Sequence, residues 1–468
     1  MRAALPLFVG VVVALLPVPD GLTLNAWYYF ALFAAVVVAL ILEPVPAAAV
    51  GLSGVTLAGV SLLVDPSPEE SVKWALSGFS NPTVWLIAAA FMFALGYQRT
   101  GLGRRIALVL VKALGGGTLG LGYAVAFSDL LLAPVMPSNT ARSGGTIFPI
   151  IRNIPKLYGS EPGETARKIG SYLMWTALAV TCVTSSMFMT ALAPNLLAVE
   201  LIRKTVNVEI SWTTWFIGFL PVGAVLFISL PFLIYKLYPP EIKVSTEVPL
   251  WARNELAAMG ALTRKEIVMA WLALLALALW VFGQDLFNTS AVALGIICLM
   301  IVTGVVTWDD VLSNKPAWNV LIWFGTLVAL ADGLTRVGFT AWLGTRVAEF
   351  LSGFPPVAAM VTLVLALFVT HYLFASVTAH IVAMLPLFLA AGAAVPGMNV
   401  LVLTLLLAYS LGIMGILTPY ATGPSPIYFG SGYIPRRDFW LLGLICGVLF
   451  MVLLLVIGLP YLLAIYAG

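Results

Sequence analysis

Charge is what this sequence lacks. Only 9% of its 468 residues are Asp, Glu, Lys or Arg, against roughly 25% in soluble domains, which excludes a water-facing globular surface. Histidine occurs twice and cysteine three times. Cys182, Cys298 and Cys446 lie in apolar segments without thiolate-ligand spacing, so neither a disulfide framework nor a metal site is expected and they read as packing residues. The net charge of +3 is too small, and the basic residues too dispersed, for a nucleic-acid surface. No cofactor is expected.

What is present is hydrophobicity: 61% of the residues are apolar and the mean hydropathy is +1.05, the signature of an all-α polytopic membrane protein. Residues 1–17 resemble a signal peptide, but Pro17-Val18-Pro19-Asp20-Gly21 has no small-x-small cleavage pattern and more apolar windows follow at once. These windows cover 26–42, 47–64 and 83–97, each ended by Pro, Gly or charge. Residues 101–114 mix Arg104, Arg105 and Lys112 with Leu108, Val109 and Leu110, which predicts an amphipathic helix along the membrane interface.

The chain is organised around Pro137-Ser138-Asn139-Thr140-Ala141-Arg142-Ser143-Gly144-Gly145. The apolar run before it, 121–136, would reach only about 24 Å as a helix, short of a hydrocarbon core of roughly 30 Å. Irregular polar backbone at membrane depth is tolerated only where protein or a water-filled cavity satisfies it, so the stretch reads as the tip of a re-entrant hairpin and half of a binding site. The other half is Ser376-Val377-Thr378-Ala379-His380, which repeats the serine, threonine, alanine and nitrogen base of 138–142 at an offset of 238. Upstream, Arg99-Thr100-Gly101 answers Arg336-Val337-Gly338 at an offset of 237. The chain is an internal duplication.

Residues 171–199 are interrupted by Thr184-Ser185-Ser186 and Ala193-Pro194-Asn195, and residues 400–430 by 418–426, which includes Thr422, Gly423 and Pro424. A span broken by polar residues and proline is the pattern of a transport site. The expected division is an N-terminal span at 1–24, a first repeat at 25–238 with its hairpin at 121–154, a linker at 239–266, and a second repeat at 267–468 with its hairpin at 356–395. Each repeat has five crossings and one hairpin, and an odd number of crossings inverts the second copy, giving about eleven transmembrane helices plus two re-entrant hairpins. With the N-terminus inside, only Lys73, Arg203, Lys204, Arg336 and Arg346 of the 23 Lys and Arg fall outside, so the C-terminus is external, the first hairpin and the linker are cytoplasmic and the second hairpin is external.

The Ser138-Asn139-Thr140 and Ser376-Val377-Thr378 tips, the Ala193-Pro194-Asn195 break, and Thr422-Gly423-Pro424-Ser425 followed by Gly430-Ser431-Gly432 resemble the divalent anion/sodium symporter family over essentially the whole chain. The resemblance is greatest to its bacterial citrate/succinate and plastid 2-oxoglutarate/malate exchanger branch. It implies an inner-membrane homodimer in which a transport domain moves against a scaffold as an elevator, carrying di- or tricarboxylate anions. Sodium-coupled members carry Ser-Asn-Thr in both tips. Here Val377 replaces the second asparagine, and the tips carry Arg142 and His380 where a cation-coupled site would not hold fixed positive charge.

Ser138, Asn139, Thr140, Ser376, Val377, Thr378, Thr422, Gly423 and Pro424 are therefore expected to bind substrate, with Ala193, Pro194 and Asn195 as helix breaks. Arg142 and His380 are expected to compensate its charge, against the bland alternative that Arg142 pairs with Asp129 on its own hairpin. His371 and Asp332 have no charged repeat partner and read as structural. The expected function is sodium-independent exchange of dicarboxylates, not catalysis. The alternatives are a sodium-coupled symporter and, remotely, an intramembrane hydrolase using Ser138 or Ser376 with His380 and Asp129. No Gly-x-Ser-x-Gly pattern surrounds either serine.

Overall fold

The computed structural model describes residues 4–42, 44–351 and 353–466. Arg2, which belongs to the inside charges of the expected topology, lies outside them, as do residues 1–3 and 467–468 of the outermost segments. The chain is helical throughout, and no strand occurs among the described residues beyond an isolated antiparallel bridge between Gly117 and Val244.

Helix ends follow the local chemistry. Asn81 accepts the Thr83 N–H and Pro82 takes the first turn of Pro82–Thr100, where its missing N–H costs nothing; Gly101 ends that helix at φ +75°, a conformation that favours glycine. Thr263 and Glu266 form a reciprocal capping box at the start of Arg264–Phe282. Among the described residues, eight helices are long and apolar enough to cross a membrane. They include one arm of each hairpin, Thr118–Val135 and Pro356–Leu373. The shorter apolar helices Ala4–Leu15, Ala47–Val60 and Thr289–Val302, and the two broken helices, stand where the sequence leads one to expect the further crossings.

Both hairpins form. The first rises through Thr118–Val135 and returns as π-helical turns, Thr140–Ile147, then Phe148–Ile151. The wide turns fall where Ser143, Gly144 and Gly145 give little support to a tighter helix, and Gly144 has no room for a Cβ against Ile427. The second hairpin rises through Pro356–Leu373 and returns as Val377–Ala393. The broken helices run Gly170–Met187 then Ala193–Val206, and Val400–Ile413 then Pro424–Gly430.

Three elements were not visible in the sequence. Short helices Pro68–Leu76 and Trp308–Ser313 precede long ones, and the linker contains a helix, Glu247–Met259, that packs on the amphipathic Leu102–Leu114. Arg104 pairs with Glu255 and Arg105 with Glu266, each at 2.6 Å. Backbone bonds fasten residues 241–245 to Gly116, Thr118, Arg167 and Lys168, so the linker is folded against the base of the first hairpin instead of hanging free.

Candidate functional site

The two tips are built by the same bonds. Ser138 Oγ accepts the Ala141 N–H at 3.2 Å and its carbonyl accepts the Arg142 N–H at 2.8 Å. Ser376 Oγ accepts the Ala379 N–H at 3.4 Å and its carbonyl accepts the His380 N–H at 3.0 Å. Both serines cap a helix with one lone pair and keep their O–H available to an anion.

Between the tips lies a cavity of about 260 Å³, just below the ~300–1,000 Å³ typical of small-molecule sites and too small for a bulky ligand. Ser138, Asn139 and Thr140 line it from the first tip, and Ser376, Val377 and Thr378 from the second. Ala193 and Pro194 come from one broken helix, Thr422 and Gly423 from the other, and Phe91, Val320, Trp323 and Phe324 close the side. Asn139 Nδ2 donates to Thr422 Oγ1 at 2.9 Å, tying the first tip to the second broken helix. Gly423 is required there, because a Cβ would collide with Thr140.

Among the described residues, no Lys, Arg, His, Asp or Glu lines this cavity. Its polarity comes from hydroxyls, one amide and helix starts: the 14-residue Ala193–Val206 and the 17-residue Val377–Ala393 both begin at its wall. A helix start carries about half a positive charge and favours an anion; at Ala193 the field acts more than free donors, because Pro194 has no N–H and Asn195 gives its own to Leu192 O at 3.0 Å. Two such helix starts, from opposite repeats, suit a ligand with a carboxylate at each end.

Arg142 and His380 do not line the cavity, which corrects the expectation that they present charge to the substrate. Arg142 is fully buried, with Nε on Asp129 at 3.1 Å and Nη1 on the carbonyls of Met136 and Ala191 at 2.8 Å each. Thr184 also donates to Asp129. The guanidinium is neutralised where it stands, since an unpaired charge at that depth costs several kcal/mol. His380 is equally buried, between Thr370 Oγ1 at 3.0 Å, His371 Nδ1 at 3.2 Å and the Phe374 ring. Pro424 and Asn195 also stand behind the wall, Asn195 Nδ2 donating to Ser185 O at 2.7 Å.

Sequence reasoning missed the aromatic side wall. Phe91, Trp323 and Phe324 sit within ordinary apolar windows, and nothing in their spacing separates a cavity wall from lipid-facing or core positions. A second hollow of about 550 Å³ shares Ser138 and Thr140 with the cavity and continues past Gln98, Asn314 and Ile427, so the site is open on the side of the first hairpin.

Comparison with known proteins agrees with this architecture. The family model described as the sodium:sulfate symporter transmembrane region matches residues 1–466. The L-tartrate/succinate antiporters of Shigella flexneri and of Escherichia coli (strain K12) are each 48% identical over 471 residues, covering 98% of this chain and 97% of theirs. Among solved structures, the Alcanivorax borkumensis YdaH transporter superposes with a TM-score of 0.57 at 13% identity, over 90% of this chain and 97% of that one, a likeness of fold alone.

Proposed function

We propose that this chain, which belongs to the sodium:sulfate symporter family and with it to the divalent anion/sodium symporters, is an antiporter that exchanges one small dicarboxylate for another across a membrane. Tartrate and succinate, the substrates in the names of its 48% identical relatives, are the first candidates. The observation that carries the reading is the cavity itself: two duplicated Ser-x-Thr tips and two helix starts face one another around a space that no charged side chain among the described residues lines. Ser138, Asn139, Thr140 and Thr422 would hold one carboxylate, and Ser376 and Thr378 the other.

Fixed helix ends also give a reason for exchange. A bound cation dissociates after the substrate leaves, but a helix end stays with the protein, so the empty site keeps a positive potential and crosses poorly. Substrate is then needed in both directions, and swapping one dianion for another moves no net charge. Val377, in place of an amide, leaves the second tip poorer in oxygen ligands for sodium. The remaining parts of the reading are an inner-membrane location with the N-terminus cytoplasmic, and a homodimer whose hairpins and broken helices move together against the other helices. The distribution of Lys and Arg supports the first and the family resemblance the second.

The test is counterflow in proteoliposomes with succinate, L-tartrate, malate, 2-oxoglutarate, citrate and sulfate, with and without sodium. Exchange that needs internal dicarboxylate and ignores sodium is expected. Sodium-driven accumulation into liposomes lacking internal dicarboxylate would overturn it in favour of symport, and chemical alteration of the substrate in favour of an enzyme.

A further inference from the structure

Each broken helix is held to its own hairpin by two carbonyl bonds, and the donors differ between repeats. In the first, Thr190 Oγ1 donates to Pro134 O at 2.6 Å and Arg142 Nη1 to Ala191 O at 2.8 Å. In the second, Tyr420 OH donates to Tyr372 O at 3.1 Å and His371 Nε2 to Ala421 O at 2.8 Å. The acceptors correspond: Pro134 and Tyr372 are related by the hairpin offset of 238, and Ala191 and Ala421 by an offset of 230 that also aligns Pro194 with Pro424. The nitrogen donors do not. Arg142 aligns with His380, but the bond to Ala421 is made by His371, whose Nδ1 lies 3.2 Å from His380 Nδ1.

Counting protons explains the substitution. A carbonyl only accepts, so His371 Nε2 carries hydrogen; in a neutral ring its Nδ1 is then an acceptor, and His380 Nδ1 donates to it. Two neutral imidazoles in series thus supply the one bond to the broken helix's carbonyl that the guanidinium supplies in the other repeat, and they need no carboxylate. Leu367 stands where the first repeat has Asp129, and His371 itself where it has Ala133. The three differences form one set, because a buried guanidinium without its carboxylate would be costly.

We propose that His371 is a positioning residue for transport, acting with His380 as a composite donor that replaces Arg142 and holds Ala421 in place. Its neighbour Thr422, bonded to Asn139, is thereby kept in place with the first tip around one carboxylate of the substrate, across the cavity from Thr378. The inference rests on the exchange reading given above.

The test uses the full chain in proteoliposomes and succinate counterflow. His371→Phe keeps a ring but removes the donor, and is expected to raise KM about tenfold, the size of a lost buried hydrogen bond, with a smaller change in kcat and little change in melting temperature. His371→Gln, whose amide keeps both a donor and an acceptor, should stay within about threefold of wild type. The triple variant Leu367→Asp, His371→Ala, His380→Arg installs the first repeat's set and should recover KM to within about threefold, an arginine at that position reaching the carbonyl directly. An unchanged KM in His371→Phe, or equal losses in the Phe and Gln variants, overturns the proposal, as does a folded triple variant no better than His371→Phe. If the triple variant does not fold, the contrast between Phe and Gln decides. Absence of counterflow in the wild type overturns the exchange reading instead, so the two failures are distinguishable.

Discussion

The two repeats frame one cavity but meet the surrounding helices differently. The first broken helix continues past the cavity to Glu200, 3% exposed, which accepts from Asn81 Nδ2 at 2.6 Å and Thr83 Oγ1 at 3.2 Å at the start of a neighbouring helix. Arg203 Nη2 pairs with the same carboxylate at 2.8 Å, and Lys204 reaches Asp332 at 3.5 Å. The second broken helix stops after seven residues, and the offset of 230 puts Gly430 and Ile434 where Glu200 and Lys204 stand. The hollow around Glu200, about 510 Å³, shares no residue with the cavity, whereas the one beside Ile427 opens into it. Duplication builds the site symmetrically, and access is set where the copies diverge: a buried carboxylate must be held by donors, those donors sit on the neighbouring helix, and that face closes. In the proposed orientation the closed face is external and the open one cytoplasmic.

The sharpest break of this comparison is Arg142→Ala. It strands Asp129 in a site of about 1% exposure, and removing one partner of a buried pair costs about 3–5 kcal/mol. The variant should melt far below wild type, and adding Asp129→Asn should return part of the loss. A wild-type melting curve for Arg142→Ala would mean that the first repeat does not depend on charge. Next in size are the tips. Asn139→Ala and Thr378→Val should each weaken succinate binding by about 1.5–3 kcal/mol, the value of a hydrogen bond to a charged group, with stability retained. Unchanged affinity in both would remove the tips from the site.

Most of this architecture was legible because a membrane makes polar residues conspicuous. Ser138, Asn139, Thr140, Ser376 and Thr378 stood out against apolar sequence, and the structure gathers them around one cavity. Arg142 was conspicuous for the same reason, but sequence spacing does not say which way a long side chain turns. It turns to Asp129, thirteen residues away on the same hairpin. His371 was set aside because its repeat partner is Ala133, and a donor supplied from a non-equivalent position leaves no trace in an alignment of the repeats. The helix Glu247–Met259 was hidden among the charges and prolines of the linker, though one of those charges, Glu255, is what binds it to Arg104.

Smaller effects are expected from the closed face. Glu200→Gln keeps an oxygen for Asn81 but loses the charge that Arg203 answers. Weakening that contact by about 1 kcal/mol shifts the two-state equilibrium about fivefold toward external access. In oriented proteoliposomes the external KM should fall and the internal KM rise, and movement of both in one direction would mean that Glu200 does not select between the states.

Lys204→Met should be the mildest change. Its ion pair with Asp332 is long, at 3.5 Å, both side chains keep some solvent contact, and Asp332 retains Arg336 at 2.7 Å after the lysine is gone. Pairs of this kind contribute about 0.2–1 kcal/mol, so the same KM ratio should move by no more than about fivefold. Because the pair is partly open to water, salt screens it, with a Debye length of about 8 Å at physiological ionic strength and about 3 Å at 1 M. The difference between Lys204→Met and wild type should therefore shrink as salt rises, while that of Glu200→Gln, whose carboxylate is buried against Asn81, persists. An effect of Lys204→Met as large as that of Glu200→Gln and equally insensitive to salt would put the closure of the external face on Lys204 and Asp332 instead of on Glu200 and Asn81.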